Sequence, residues 1–136
     1  MTTPRWFHLS TPDLGLLFLR VAGAILLLHV HGIPKILHFQ SELQKIEDPL
    51  HLGHGPTLVL AIFAEVVCPI FNLLGFRARL ASFPIVFLLL VSMILVHPEW
   101  TIAEGQFGWL LFIVFGTIGL AGLGRHSLDA KRSTPA

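Results

Sequence analysis

Two ionisable side chains stand inside long apolar stretches of this sequence, Arg20 within residues 14–30 and Glu65 within residues 57–76. A charge in the hydrocarbon core of a bilayer is costly, so each of these groups needs a partner or a function. At a rise of about 1.5 Å per helical residue, their expected depths differ by only about 4–5 Å. We therefore predict an ion pair, which fixes the register of two helices, tunes Glu65 as a proton-accepting or ligand-binding carboxylate, or does both.

Further polar side chains follow Arg20 along the same helix face. At about 100° per residue, His31 lies about 20° and Lys35 about 60° from Arg20. His97 ends the third apolar stretch, at a height similar to that of His31, so we expect His31, Lys35 and His97 to ring one mouth of the bundle. The candidates for ligand binding or proton transfer are Arg20, His31, Lys35, Glu65 and His97.

Three other polar residues suit structural roles. Asn72 lies seven residues after Glu65 and shares its helix face, where an amide typically makes interhelical hydrogen bonds. Arg79 and Gln106 are the other structural candidates. We predict no metal site, because the single cysteine, Cys68, cannot form a cysteine zinc site and no two histidines show an HxxxH or HExxH spacing on one helix. A single cysteine also cannot form an intramolecular disulfide or a CxxC redox centre.

The composition places the chain in a membrane. Of 136 residues, 54% are hydrophobic and only 12% are charged, whereas soluble domains carry about 25% charged residues. The mean hydropathy is +0.76. A formal net charge of +1 provides no basic surface for nucleic acid, so we expect no nucleic-acid partner. These values also argue against a disordered chain and favour a polytopic membrane protein in contact with the lipid bilayer.

Four apolar stretches are long enough to cross a bilayer, which takes about 20 residues as a helix. They are residues 14–30 (continuing, kinked, to 37), 57–76, 80–96 and 107–123. Because lipid cannot satisfy open strand edges, we predict an all-α bundle of four transmembrane helices, with Pro69 bending the second. The chain then divides into an N-terminal segment with an interfacial anchor (1–12), a membrane domain (13–128) and a flexible tail (129–136).

The distribution of lysine and arginine predicts the orientation of the bundle. Cationic residues in short connections favour the cytoplasmic side. The N-terminus, the connection between the second and third spans and the C-terminus hold six of them, Arg5, Arg77, Arg79, Arg125, Lys131 and Arg132. The other two loops hold only Lys35 and Lys45. We therefore expect both termini to be cytoplasmic and the protein to be a multi-pass component of a bacterial inner membrane.

The order of these residues resembles the DoxX family of small four-helix membrane proteins. The matching stretches are residues 15–20, 31–35, 64–65, 75–81, 96–97 and 124–129. The resemblance implies a quinone- or redox-linked membrane subunit, and it carries the family's polar positions onto Arg20, His31, Lys35, Glu65, Arg79 and His97. The fourth span departs from the pattern, because Gly105 and Gln106 stand where an acidic residue is expected, with Glu104 beside them.

Three functions are compatible with this pattern. The first is a subunit that binds a quinone headgroup, with His31 and Lys35 donating hydrogen bonds and Glu65 passing a proton. With one cysteine it cannot use thiol chemistry, so a partner oxidoreductase would supply the electrons and we expect no autonomous enzyme. The second is a non-catalytic scaffold or assembly factor, and the third is a small-solute or proton pathway. An oligomer is compatible with all three.

Overall fold

The computed structural model describes residues 11–122, and this part of the chain is helical without strands. Its five helices are α1 (Thr11–Leu37), α2 (Phe39–Lys45), α3 (His54–Leu74), α4 (Ala78–Val96) and α5 (Gln106–Ala121). The all-α prediction is therefore confirmed. The predicted tail at 129–136, and all but two residues of the N-terminal segment, lie outside the described residues.

Three of these helices, α1, α3 and α4, are long and apolar enough to cross a membrane, and α5 is a shorter apolar helix of 16 residues. Their bounds follow the predicted spans closely. Gly75 ends α3 because its left-handed backbone, with φ of 71°, stops the helix two residues before the predicted limit. At the end of α5, Gly122 has a φ of 84°, so this helix stops at Ala121.

The bundle places α1 and α4 on opposite corners, since both helices pack against α3 and α5. We call the end of the bundle at Thr11, residues 75–77 and Ala121 the turn end. The opposite end, at residues 38–53 and 97–105, is the loop end. Glycine residues lie where neighbouring segments approach so closely that an added Cβ atom would collide with the other segment. These contacts join Gly23 to Val114, Gly32 to Glu65, and Gly105 and Gly108 to Met93.

Buried apolar side chains fill the bundle, and large apolar side chains also cover its outside. The buried cluster consists of Leu27, Cys68, Ala78, Ala81, Ile85, Leu89, Leu111, Phe115 and Ile118. Phe18, Phe83 and Leu120 are among the many large hydrophobic residues that are exposed. A soluble protein rarely exposes so much apolar surface, and a lipid environment accounts for it.

Three of the four apolar helices contain a π-helical segment. These segments are Leu28–Gly32, Phe63–Val67 and Ser92–Val96, and each ends two residues before a proline. Proline lacks an N–H and its ring clashes with the carbonyl of the preceding turn. A wider turn, with hydrogen bonds from i+5 to i, relieves both problems. The structure therefore accommodates Pro34 and Pro69 through widened turns.

Candidate functional site

An ion pair between α1 and α3 forms the centre of the candidate site. The Lys35 Nζ lies 2.7 Å from the Glu65 Oε2, and their side chains are only 16% and 8% exposed. The same ammonium lies 3.5 Å from the backbone carbonyl oxygen of His31. The buried carboxylate of α3 is thus compensated by a cation from the end of α1, close to the level of His31.

This pairing corrects the predicted partner of Glu65. Arg20 is buried, with 3% exposure, but it precedes Gly32, whose backbone lies against the Glu65 carbonyl group, by twelve positions. At about 1.5 Å per residue, this separation is about 18 Å along α1. The prediction assumed that the two helices start and end at the same level, whereas α1 extends much further than α3 toward the turn end. Arg20 therefore belongs to the opposite half of the bundle.

Gly32 explains why Lys35 reaches Glu65. A Cβ atom at Gly32 would collide with the backbone carbonyl oxygen of Glu65 and would lie 2.9 Å from the Val66 Cγ2. Only glycine lets the two backbones come this close. Lys35 follows Gly32 by three residues, about one helical turn, and so stands on the same face of α1. The glycine contact thereby positions the ammonium beside the carboxylate.

The imidazole of His31 links this pair to α5. Its ring stacks on Phe107 with a centroid distance of 5.7 Å and an interplanar angle of 28°. His31 is half-buried and faces the same cavity as Lys35 and Glu65. Gln106, the neighbour of Phe107, is exposed at the first position of α5 and does not line the cavity.

A cavity of about 1070 Å³ surrounds the polar groups and runs between α3 and α4. This volume is slightly above the range of about 300–1,000 Å³ that is typical of small-molecule sites. Its walls are mainly apolar and come from α3 and α4, whereas α2 and the following loop cover the loop end. The polar residues on its wall are His31, Lys35, Glu42, Lys45, Glu47, Thr57, Glu65, Arg77, Ser92, His97 and Glu104. All three π-helical segments contribute to the lining.

His97 lies on the wall of this cavity, so the structure places it in one cavity with His31 and Lys35. Its ring stacks in parallel on Trp100, with a centroid distance of 3.8 Å and an interplanar angle of 5°. The Nδ1 is 3.9 Å from a carboxylate oxygen of Glu99. These neighbours fix the imidazole at the loop end of the cavity.

The remaining predicted residues lie away from the pair. The Asn72 amide donates to the Cys68 carbonyl oxygen at 3.1 Å and accepts a hydrogen bond from the Ser82 hydroxyl at 3.3 Å. This buried contact links α3 to α4. Arg79 donates from Nε to the Gly119 carbonyl oxygen at 3.1 Å and links α4 to α5. Both contacts connect helices near the turn end.

Sequence reasoning missed a cluster of hydrogen bonds around Asp48, in the loop before α3 and beside the cavity. The carboxylate of Asp48 accepts hydrogen bonds from the Thr57 hydroxyl at 2.8 Å and from the backbone N–H groups of Leu52 and Gly53. The Thr57 hydroxyl is the main cause of a lowered pKa at Asp48, and both N–H groups and the nearby His51 act in the same direction. Asp48 precedes Thr57 by nine residues, so no local motif predicted the contact.

Together these features define a helical membrane protein with an ion pair at the wall of a large, mainly apolar cavity. The chain belongs to the DoxX family, because the model of that family matches residues 15–98. The matched region contains Arg20, His31, Lys35, Glu65 and His97. It ends before Gly105 and Gln106, where the sequence differs from the family pattern. Neither a curated protein nor a solved structure matches the chain.

Proposed function

We propose that this protein is a quinone-linked membrane subunit that binds a quinone headgroup in the cavity and works with a partner oxidoreductase. The observation that carries the proposal is the Lys35–Glu65 ion pair on the wall of a large apolar cavity. A quinone has two carbonyl oxygens on an apolar ring, so its site needs a few donors within apolar walls. The residues present fit this requirement.

Lys35 and His31 would hold the headgroup. The ammonium of Lys35 has three donor hydrogens, and its contacts with Glu65 and with the His31 carbonyl oxygen leave one of them for a ligand oxygen. The imidazole of His31, on the same wall of the cavity, is a second donor. Its stacking on Phe107 fixes the plane of the ring, which limits the directions in which it can donate.

Glu65 would exchange protons with the bound ligand. A quinone takes up two electrons and two protons when it is reduced to a quinol, and a carboxylate beside an ammonium is a suitable relay for protons. The electrons would come from the partner oxidoreductase, because a single cysteine gives this chain no dithiol centre. The chain itself would bind and orient the ring and supply the proton route.

The same proposal includes an orientation, with both termini in the cytoplasm of a bacterial cell and the protein in the inner membrane. Arg77 and Arg79 lie at the turn end, where the described part of the chain begins and ends at Thr11 and Gly122, and this charge distribution supports a cytoplasmic turn end.

The test is the quinone content of the purified protein. Protein in mild detergent is extracted and its quinones are quantified by mass spectrometry for the wild type, His31→Phe and Glu65→Gln. His29→Phe and His38→Phe are the matched controls, because His29 and His38 are exposed and do not line the cavity. We expect stoichiometric quinone in the wild type and the controls, and loss of it in both site variants. Bulk phospholipid alone in the wild type would contradict the proposal and favour a scaffold.

A further inference from the structure

The cavity has an opening toward the membrane. Several residues line the cavity and at the same time expose a large part of their side chains on the outside of the bundle. On α3 these are Leu60 (54% exposed) and Phe63 (44%), and on α4 they are Leu80 (61%), Phe83 (65%) and Phe87 (59%). Residues with both properties mark the rim of an opening. We call this opening between α3 and α4 the portal.

The packing of α3 on α4 explains the portal. Phe63–Val67 and Cys68–Leu74 pack closely on α4, whereas the first part of α3, His54–Ile62, has far less contact with it. The two helices are therefore joined near the turn end, where Asn72 meets Ser82, and separate toward the loop end. Small side chains on α3, at Ala61 and Ala64, face the resulting gap.

The two approaches to the cavity differ in chemistry. The loop end carries charged side chains of both signs, including Glu42, Lys45 and Glu47 on α2 and the following loop. The rim residues on α3 and α4 are apolar, and the exposed Arg77 lines the cavity only at the turn end, in the connection between these helices. A ligand that occupies the cavity from Lys35 to the portal therefore needs a polar head and an apolar chain.

Charge compensation favours a neutral head. The ammonium of Lys35 is already paired with Glu65 at 2.7 Å. A phosphate group at this position would stand beside the carboxylate, and like charges at such a distance repel each other strongly in a medium of low dielectric constant. A neutral carbonyl group accepts a hydrogen bond from Lys35 without this repulsion.

We propose that the ligand enters the site sideways from the bilayer through the portal, and that it is a quinone whose prenyl chain remains in the portal while its head reaches Lys35. This inference rests on the proposed function and adds a substrate class, long-chain lipid-soluble quinones. The apolar rim residues of α3 and α4 form the contact surface for the chain. Binding then depends on the chain as well as on the head.

The test compares ligands and portal variants in lipid nanodiscs. The ligands are a dimethoxy-methyl-benzoquinone without a chain and the same ring with a decyl chain, with concentrations expressed per membrane volume. Binding is followed with radiolabelled ligands, and empty nanodiscs give the background. Ala64→Phe fills the gap, and Leu60→Trp narrows the exposed rim without altering the core. Leu120→Trp is the control, because Leu120 is 85% exposed and does not line the cavity.

In the wild type we expect the decyl compound to bind at least about tenfold more tightly than the compound without a chain. Leu60→Trp and Ala64→Phe should weaken binding of the decyl compound about tenfold, whereas Leu120→Trp should leave it unchanged. Equal binding of both compounds, with no effect of the portal variants, would overturn the portal and leave the proposed function intact. If an anionic phospholipid displaced the decyl compound as strongly as unlabelled quinone does, this result would overturn the claim that the headgroup in the cavity is neutral. Absence of binding of either compound to the wild type would overturn the proposed function itself.

Discussion

The ammonium of Lys35 lies 2.7 Å from the carboxylate of Glu65, and this ion pair connects α1 to α3 beside the cavity. Both side chains are largely removed from solvent, but each still reaches the cavity wall. The pair therefore has two consequences that can be separated by experiment. It compensates a buried charge, which affects stability, and it presents donors and a carboxylate to a ligand.

The first prediction concerns stability. Lys35→Met should lower the free energy of unfolding by about 3 kcal/mol, because it leaves the Glu65 carboxylate buried without its cation. The double variant Lys35→Met/Glu65→Leu should recover most of this loss, since no buried charge remains. Reversible unfolding in mixed micelles measures both values. Lys45→Met serves as the control, because Lys45 is exposed. A double variant as unstable as the single one would argue against the pairing.

The second prediction concerns the close approach of α1 and α3. Gly32→Ala should destabilise the protein by about 1–3 kcal/mol, because the added methyl group meets the Glu65 carbonyl oxygen and the Val66 side chain. Gly15→Ala is the matched control on the same helix, since no atom lies within 4 Å of the added Cβ. Unfolding curves of the two variants give the difference. Equal stability of both would show that the helices are further apart than described.

The third prediction concerns the hydrogen bond between α3 and α4. Ser82→Ala removes a hydroxyl whose single hydrogen is shared between the Asn72 Oδ1, at 3.3 Å, and the Ala78 carbonyl oxygen of its own helix, at 2.7 Å. Hydrogen bonds between membrane helices contribute about 0.6 kcal/mol on average. We expect a loss of stability below about 1 kcal/mol. Thr117→Val is the control, because the Thr117 hydroxyl donates only within its own helix, to the Ile113 carbonyl oxygen. A double-mutant cycle with Asn72→Ala that gives no coupling energy would contradict the contact.

The fourth prediction concerns pH. The pKa of Asp48 is lowered from its ordinary value of 3.8, chiefly by the Thr57 hydroxyl. Its contribution to the loop is therefore complete above that ordinary value and is lost as the pH falls through the lower folded pKa. Hydrogen-exchange protection of the Leu52 and Gly53 amides should decrease with acidification over this range. In Asp48→Asn the protection should no longer vary with pH, and a variation as large as in the wild type would exclude Asp48 as its source.

Hydropathy predicted most of the fold, because each span must supply a long run of apolar residues whatever its neighbours are. The predicted limits of the third span differ from α4 by only two residues at one end, and α1 continues through Pro34 to Leu37 as expected. Local chemistry also indicated which side chains matter. His31, Lys35 and Glu65 were identified because polar groups are rare in such segments, and the structure places all three on one cavity.

The register between helices could not be predicted from the sequence. The depth of each side chain was counted from the ends of its own span, and this count predicted Arg20 as the partner of Glu65. The actual offset is set by the contact between Gly32 and the Glu65 backbone, a tertiary feature with no signature in hydropathy. The position of α2 over the loop end of the cavity and the stacking of Phe107 on His31 are tertiary features of the same kind. The π-helical segments did have a signal, the prolines that follow them, and it was interpreted only as a bend.

The central claim is that Lys35, His31 and Glu65 bind a quinone headgroup, and photolabelling in native membranes tests it most directly. A quinone with an azido group on its ring is activated by light, and the labelled peptides are identified by mass spectrometry. The account predicts labels on the peptides that contain His31, Lys35 and Glu65, with suppression by excess unlabelled quinone and loss in Glu65→Gln. Labels spread over lipid-facing residues such as Phe18 and Leu120, without competition, would contradict it.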